Sequence, residues 1–397
     1  MHPREILITL CVVCALLAGI FWYANKENTS ASLIHESCPG EVQTPCLSDL
    51  IVHTITEKGL DQGLTLMEDW YAAEISFRPQ CTRFAQTVGE KLGAAEPDYA
   101  QLVFTEKSVS CDYRLFQGYL EVLLEKNSDA VRGGQFCTYV GLALKTIAPD
   151  ATVECFRNLG RVLTRAYVAS STNPLTTARL STDACAQAAD VSEGYNRCVQ
   201  GVFSELGTIE SRKQTEPSQD PLELCRTQKK ELQKYCYENM VKGYINTVYN
   251  GSTNDVRTLI IATEKRFKDF SAQSLTELVW VNGYQKGFHS VGLQQPAAES
   301  FIASCKLLPE DQWTSCVSGY ALGLAKHGFP RKQYREVSTF CAQAINMLAI
   351  QRSWCVGRAN AYLRGIYPPA VFAEACKVFK KELDFDCLAT TPPQAFR

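Results

Sequence analysis

Thiols dominate the chemically capable residues of this 397-residue chain, which carries 18 cysteines and five histidines. Cys11 and Cys14 sit in an N-terminal apolar stretch. The other sixteen are Cys38, Cys46, Cys81, Cys111, Cys137, Cys155, Cys185, Cys198, Cys225, Cys236, Cys305, Cys316, Cys341, Cys355, Cys376 and Cys387. Zinc would want C-x2-4-C spacing or nearby histidines. Outside the apolar stretch no C-x-x-C occurs, and His35 and His53 have no partner motif. No metal and no cofactor is expected. Sixteen thiols along one chain instead indicate disulfides and an oxidising compartment.

The spacing assigns sequential pairs: Cys38/Cys46, Cys81/Cys111, Cys137/Cys155, Cys185/Cys198, Cys225/Cys236, Cys305/Cys316, Cys341/Cys355 and Cys376/Cys387. Residues eleven apart on a continuous helix would stand about 16 Å from each other. A disulfide needs Cα atoms within roughly 4.4–6.8 Å. The chain must therefore reverse between partners, so each bridge staples a helical hairpin. With every thiol paired locally, none is left as a nucleophile. Other catalytic signals are missing too. No G-x-S-x-G elbow and no H-E-x-x-H occurs. His289 and His327 are out of phase on their helices, and Glu382 with Asp386 reads as ordinary helix-surface charge.

The elements that position these cysteines form a repeat. Cys316-Val-Ser-Gly-Tyr320 is echoed by Cys198-Val-Gln-Gly201 and by Trp280-Val-Asn-Gly-Tyr284. Aligned on glycine, the series is Gly118, Gly160, Gly201, Gly243, Gly283, Gly319 and Gly357, with steps of 42, 41, 42, 40, 36 and 38 residues. A period near 40 is that of an array of helical hairpins. Each unit reads as a short helix, a turn, and a longer helix that carries the glycine. A mid-helix glycine costs about 1 kcal/mol against alanine, so its recurrence points to close helix approach. In the fifth unit Phe267, Phe270 and Trp280 stand where cysteines would fall, and apolar packing replaces the staple. The residue after each glycine is Tyr119, Arg161, Val202, Tyr244, Tyr284, Tyr320 and Arg358 in turn. Tyrosine and arginine are typical binding hot spots. Tyr244, Tyr284, Tyr320 and Arg358 are therefore the candidate binding residues, against the alternative that they pack between repeats.

Residues Ile6 to Ala24 are 19 positions whose only clearly polar member is Thr9, enough for about 28 Å of helix. Arg4 precedes them, which favours a cytoplasmic N-terminus. The alternative is a cleaved signal peptide, but the apolar run is long for one and bulky Trp22 stands at −3 of the best site, after Ala24, so an uncleaved signal-anchor is expected. The expected organisation is a cytoplasmic end (1–5), a transmembrane signal-anchor (6–24), a tether (25–46), a divergent N-terminal helical repeat (47–98), the array (99–390) and a tail (391–397). Asn28 and Asn250 begin glycosylation sequons. Glu210 to Asp220 reads as the longest loop between repeats. Apolar content of 46%, charge of 21% and a net charge of −2 describe a folded chain. No block of basic residues appears, so nucleic acid is not an expected partner.

The period and the staples resemble the tetratricopeptide and Sel1-like solenoids, in particular their disulfide-bridged secreted forms. The likeness covers roughly Tyr99 to Leu388 and is architectural. The Leu-Gly-x-x-Tyr core of Sel1 repeats is not reproduced, and Cys316-Val-Ser-Gly-Tyr320-Ala-Leu-Gly differs in spacing. The resemblance implies a binding scaffold. The expected fold is all-α, a right-handed α-solenoid of about seven to eight stapled hairpins behind one transmembrane helix. The expected function is non-catalytic binding of a protein or peptide in a periplasmic, extracellular or secretory-lumenal setting, with the membrane contacted through the N-terminal helix. The alternative is a helical-repeat enzyme acting on cell wall or polysaccharide. The two differ in whether acids converge in one deep pocket or the groove is open and aromatic.

Overall fold

The computed structural model describes residues 38, 44–74, 77, 80–125, 129–171, 173–189, 192–213, 222–248, 295–329 and 331–387. The expected membrane span Ile6–Ala24, the tether before Cys38, the tail 391–397, Asn28, Asn250, His35, His289, Phe267, Phe270, Trp280 and Tyr284 lie outside them, as does most of the 210–220 loop. The described residues fold into α-helices joined by turns and two short 3-10 segments, with no strand among them. No helix among them is long and apolar enough to cross a membrane.

The chain divides at Gln80 into two compact units. In the first, α1 (Thr44–Lys58) and α2 (Leu60–Ala73) form a hairpin. Leu47, Ile51, Leu64, Met67 and Trp70 close its core, each at 1% exposure or less. Cys38–Cys46 ties the preceding segment to the start of α1. The divergent repeat expected over 47–98 is thus split, because α3 (Cys81–Ala95) belongs to the second unit. There α3 packs on α4 (Arg114–Leu124), and Cys81–Cys111 holds it.

The second unit has two rows of helices. The outer row is α5 (Ala130–Leu144), α7 (Pro174–Ala188), the single turn α9 (Glu223–Arg226), α11 (Gln295–Lys306), α13 (Gln333–Leu348) and α15 (Pro369–Leu383). The inner row is α3, α4, α6 (Ala151–Ser170), α8 (Ser192–Lys213), α10 (Lys230–Val248), α12 (Glu310–His327) and α14 (Arg352–Ile366). Start signals explain the outer helices. Asp129 accepts from Val131 and Arg132 backbone N–H groups, and Asn173 caps α7 with Pro174 in its first turn. Neighbours pack within each row, α6 on α8, α8 on α10 and α12 on α14, and the outer helices α5, α7, α9, α11 and α13 each pack on the inner helix that follows.

The glycines explain the inner row. A Cβ on Gly160 would land on the Cys198 carbonyl, and one on Gly201 would land on the Arg157 carbonyl. Gly118 and Gly89 stand in the same reciprocal relation across α3 and α4, against the Gln86 and Leu115 carbonyls. At α8 and α10, a Cβ on Gly207 would meet Met240 backbone at 2.8 Å and one on Gly243 the Thr208 nitrogen at 2.7 Å. Bare backbone is therefore the interface. The unit also turns back on itself. Asp150 N–H, at the head of α6, donates to the Gly365 carbonyl at the end of α14 (3.2 Å). Arg331 pairs with Glu106 at 3.2 Å across 225 residues of sequence.

Five disulfides join an outer helix to the following inner one: Cys137–Cys155, Cys185–Cys198, Cys225–Cys236, Cys305–Cys316 and Cys341–Cys355. Their Cα separations of 5.3–5.9 Å are those of hairpin staples. Each contributes about 2–4 kcal/mol by restricting the unfolded chain. The expected eighth bridge differs. Cys376 and Cys387 are thiols here, hydrogen-bonded to each other, and burial raises both above the usual thiol range. Alkylation of the unfolded, unreduced protein should therefore label these two of the sixteen cysteines from Cys38 onward. Peptide mapping checks this. Protection of both until reductant is added would make them an eighth staple.

Candidate site: the cations of the inner row

The row of residues following the glycines does not form one exposed face. Tyr320 is 1% exposed and stacks between Phe301 and Phe340, with ring centroids 4.3 and 4.6 Å away. It is inter-repeat core, which corrects its assignment as a binding residue. Tyr119 is likewise buried, stacked on Phe136 at 4.9 Å, and its hydroxyl donates to the Glu96 carbonyl. Tyr244 and Arg358 are half-buried on α10 and α14. Among the candidate histidines, His53 is exposed beside Glu57 and His327 ends α12. Among the described residues no group of three His, Cys, Asp or Glu side chains could hold a metal.

What the inner row gathers is positive charge. On α6, Arg157, Arg161 and Arg165 follow at intervals of four and so share one face. Like charges at that spacing weaken an isolated helix by a few tenths of a kcal/mol, so tertiary partners must offset them. Arg165 has them. Its Nε donates to Glu205 on α8 at 2.7 Å, and its Nη1 reaches Glu121 on α4. Glu121 also accepts from Gln86 Nε2 (2.9 Å) and Gln117 Nε2 (3.1 Å). Burial, and then the hydrogen bond that a protonated Glu90 donates to Glu121, raises the neighbouring Glu90 carboxyl above its usual range. This end of the face is a closed network.

The charge is less compensated one and two turns earlier on α6. Arg161 is 7% exposed, and its Nη1 donates to the amide oxygen of Asn158 at 3.3 Å. Asn158 in turn donates to the Tyr113 carbonyl at 3.0 Å, which fixes its orientation. Arg157 pairs with Glu154 at 3.5 Å and donates to Asn239 on α10 at 3.4 Å, while Glu154 is shared with Arg197 on α8. Arg114 on α4 donates to Gln117, a neutral partner. The Nε atoms of Arg114 and Arg157 are buried without an acceptor. Lys242 lies one turn beyond Asn239 on α10. Lys326 on α12 sits over the Tyr362 ring at 5.3 Å. These groups perturb one another. Burial, then Arg114 and Arg157, pulls Arg161 well below the usual arginine range. Burial and then Arg157 bring the Lys242 ammonium down to about 7. Burial also lowers Lys326 and Arg114.

One further acid faces this group. Burial pushes the Asp112 carboxyl up, but Lys326, Arg114, Arg161 and Arg157 outweigh it and hold it below the usual carboxylate range. Asp112 is delivered by three successive left-handed residues, Cys111, Asp112 and Tyr113, with φ of 59°, 62° and 60°. Each such non-glycine conformation costs roughly 1–2 kcal/mol, a strain that marks functional sites when the fold holds it in place. The cluster therefore draws on α4, α6, α10 and α12, elements up to two hundred residues apart in sequence. The sequence signal for it was Arg157-x3-Arg161-x3-Arg165 on the face of a repeat helix. No protein-family model, no curated protein and no solved structure matches this chain.

Proposed function

We propose that the chain is a non-catalytic, extracytoplasmic scaffold, a curled helical solenoid of tetratricopeptide or Sel1-like kind, that binds an acidic segment of a partner protein or peptide through its inner helical row. The observation that carries this reading is the gathering of Arg114, Arg157, Arg161 and Lys326 around the carboxylate of Asp112, with Lys242 one turn from Asn239, the amide that accepts from Arg157. Partly desolvated cations that outnumber their carboxylate partners are costly, and an anionic ligand is what relieves them. The seven disulfides support an oxidising compartment, and the apolar Ile6–Ala24 span is read as the membrane anchor that holds the scaffold there.

The enzymatic alternative has one favourable observation, the hydrogen-bonded Glu90 and Glu121 pair. A general acid paired with a base needs both carboxyls available to substrate. Glu121 already accepts from Arg165, Gln86 and Gln117, which ties it to the interface between α3, α4 and α6. Binding is therefore the better reading. Unstructured peptides of equal length but acidic, neutral or basic composition separate the two. Acidic peptides should bind alone, with affinity that falls as ionic strength rises. Equal binding of all three, or cleavage of polysaccharide that Glu90→Gln abolishes, would overturn the scaffold reading.

A further inference from the structure

We propose that the buried Arg161 and the half-buried Arg114, Arg157, Lys242 and Lys326 flanking it on the inner row form a site for a dianionic tetrahedral oxyanion, a sulfate or phosphate group. This rests on the scaffold reading and narrows it. The group arrives either as a free ion or on a phosphorylated or sulfated side chain of the partner.

Donor supply is the first reason. A guanidinium has five N–H donors. Arg161, at 7% exposure, gives one to Asn158 and makes no ion pair among the described residues. Arg114 and Arg157 each keep a buried Nε without an acceptor. Lys242 and Lys326 have no ion pair among the described residues, and Lys326 lies over the face of Tyr362. Guanidinium forks match the oxygen spacing of phosphate and sulfate, and two lysines add point charge.

Charge is the second reason. Arg165 is neutralised by Glu121 and Glu205, and Glu154 is divided between Arg157 and Arg197. Asp112 is then left for Arg114, Arg161 and Lys326, and Glu238 faces Lys242. A single carboxylate ligand would leave this group positive, and a dianion brings it close to balance. The strained turn of Cys111 to Tyr113 places Asp112 among Arg114, Arg157, Arg161 and Lys326.

The test is titration of the full-length protein with sulfate at low ionic strength by calorimetry. Sulfate does not itself titrate between pH 6 and 9. One site is expected, with a proton taken up on binding near neutrality. Lys242 faces Arg157 on α6, Arg197 on α8, Glu238 on α10 and Lys326 on α12. Its ammonium stands at about 7 in the free protein, and a bound anion raises it. Affinity is therefore greatest below pH 7 and weakens as pH rises above it, by up to about tenfold per pH unit until the bound-state value is reached. Arg161→Gln should reduce affinity by more than about tenfold. If that variant does not fold, Lys242→Met serves instead. It removes a buried charge and should abolish both the pH slope and the proton uptake.

Absence of sulfate and phosphate binding at millimolar concentration, with acidic peptides still bound, would overturn the oxyanion site and leave the scaffold. Sulfate binding unchanged in both variants would mean an adventitious ion only, and would also overturn it. A phosphoserine peptide compared with its serine parent, in competition with sulfate, identifies the source. Much tighter binding of the phosphopeptide places the group on the partner, and parity with sulfate makes it a free ion.

Discussion

Gly160→Ala and Gly201→Ala should each destabilise the protein by about 2–3 kcal/mol or more, although alanine is the better helix former by roughly 1 kcal/mol. The new methyl on either residue would meet a backbone carbonyl of the facing helix, that of Cys198 or of Arg157. A side chain could rotate away, but a carbonyl inside a helix cannot. The helices must separate, and that separation propagates. Arg157 and Arg161 flank Gly160, and Arg165 reaches Glu205 across the same interface. Chemical denaturation should therefore show a lower midpoint together with weaker binding of acidic peptides. Gly194→Ala is the control. Its Cβ would meet side chains and no backbone, the Phe156 ring at 3.2 Å and the Ala189 methyl at 3.4 Å, and a change within about 1 kcal/mol is expected. Equal and small effects at all three positions would mean that the repeated glycines are not there for close approach.

Tyr320→Ala should cost about 3–5 kcal/mol, as truncation of a large buried aromatic does. The ring is 1% exposed and lies between Phe301 of α11 and Phe340 of α13, so it joins two outer helices to the inner helix α12. Removing it leaves a cavity that neither phenylalanine can fill without leaving its rotamer. The folded fraction should keep its peptide affinity, because Tyr320 lies in the core while the cations lie on another face of the inner row. A normal melting temperature with a specific binding defect would return Tyr320 to the binding surface, where its place after the repeat glycine first put it.

These two residues show where sequence reasoning held and where it stopped. Helix, hairpin and staple were legible because each is local. Cys185 and Cys198 are thirteen residues apart, and a helix of that length cannot bring them together unless the chain turns. The glycine reading was also legible, since a recurring helix breaker inside a helix needs a packing reason. The use of Tyr320 was not. Repeat position says that a residue recurs on one face, but both the core and the binding surface recur with the period.

The sequence by itself determined an all-helical chain of roughly 40-residue hairpins, seven of its cystine pairs, and the oxidising setting they imply. Those features depend on neighbours within thirty residues. Only the tertiary structure decided that α14 returns to the head of α6, and that Arg114, Arg157, Arg161 and Lys326 face one carboxylate. The physical reason is the range of the interaction. Net charge is −2 and no basic block exists along the chain, so composition averages the charges away. Coulomb forces act across space instead, and burial amplifies them once the fold brings distant helices together.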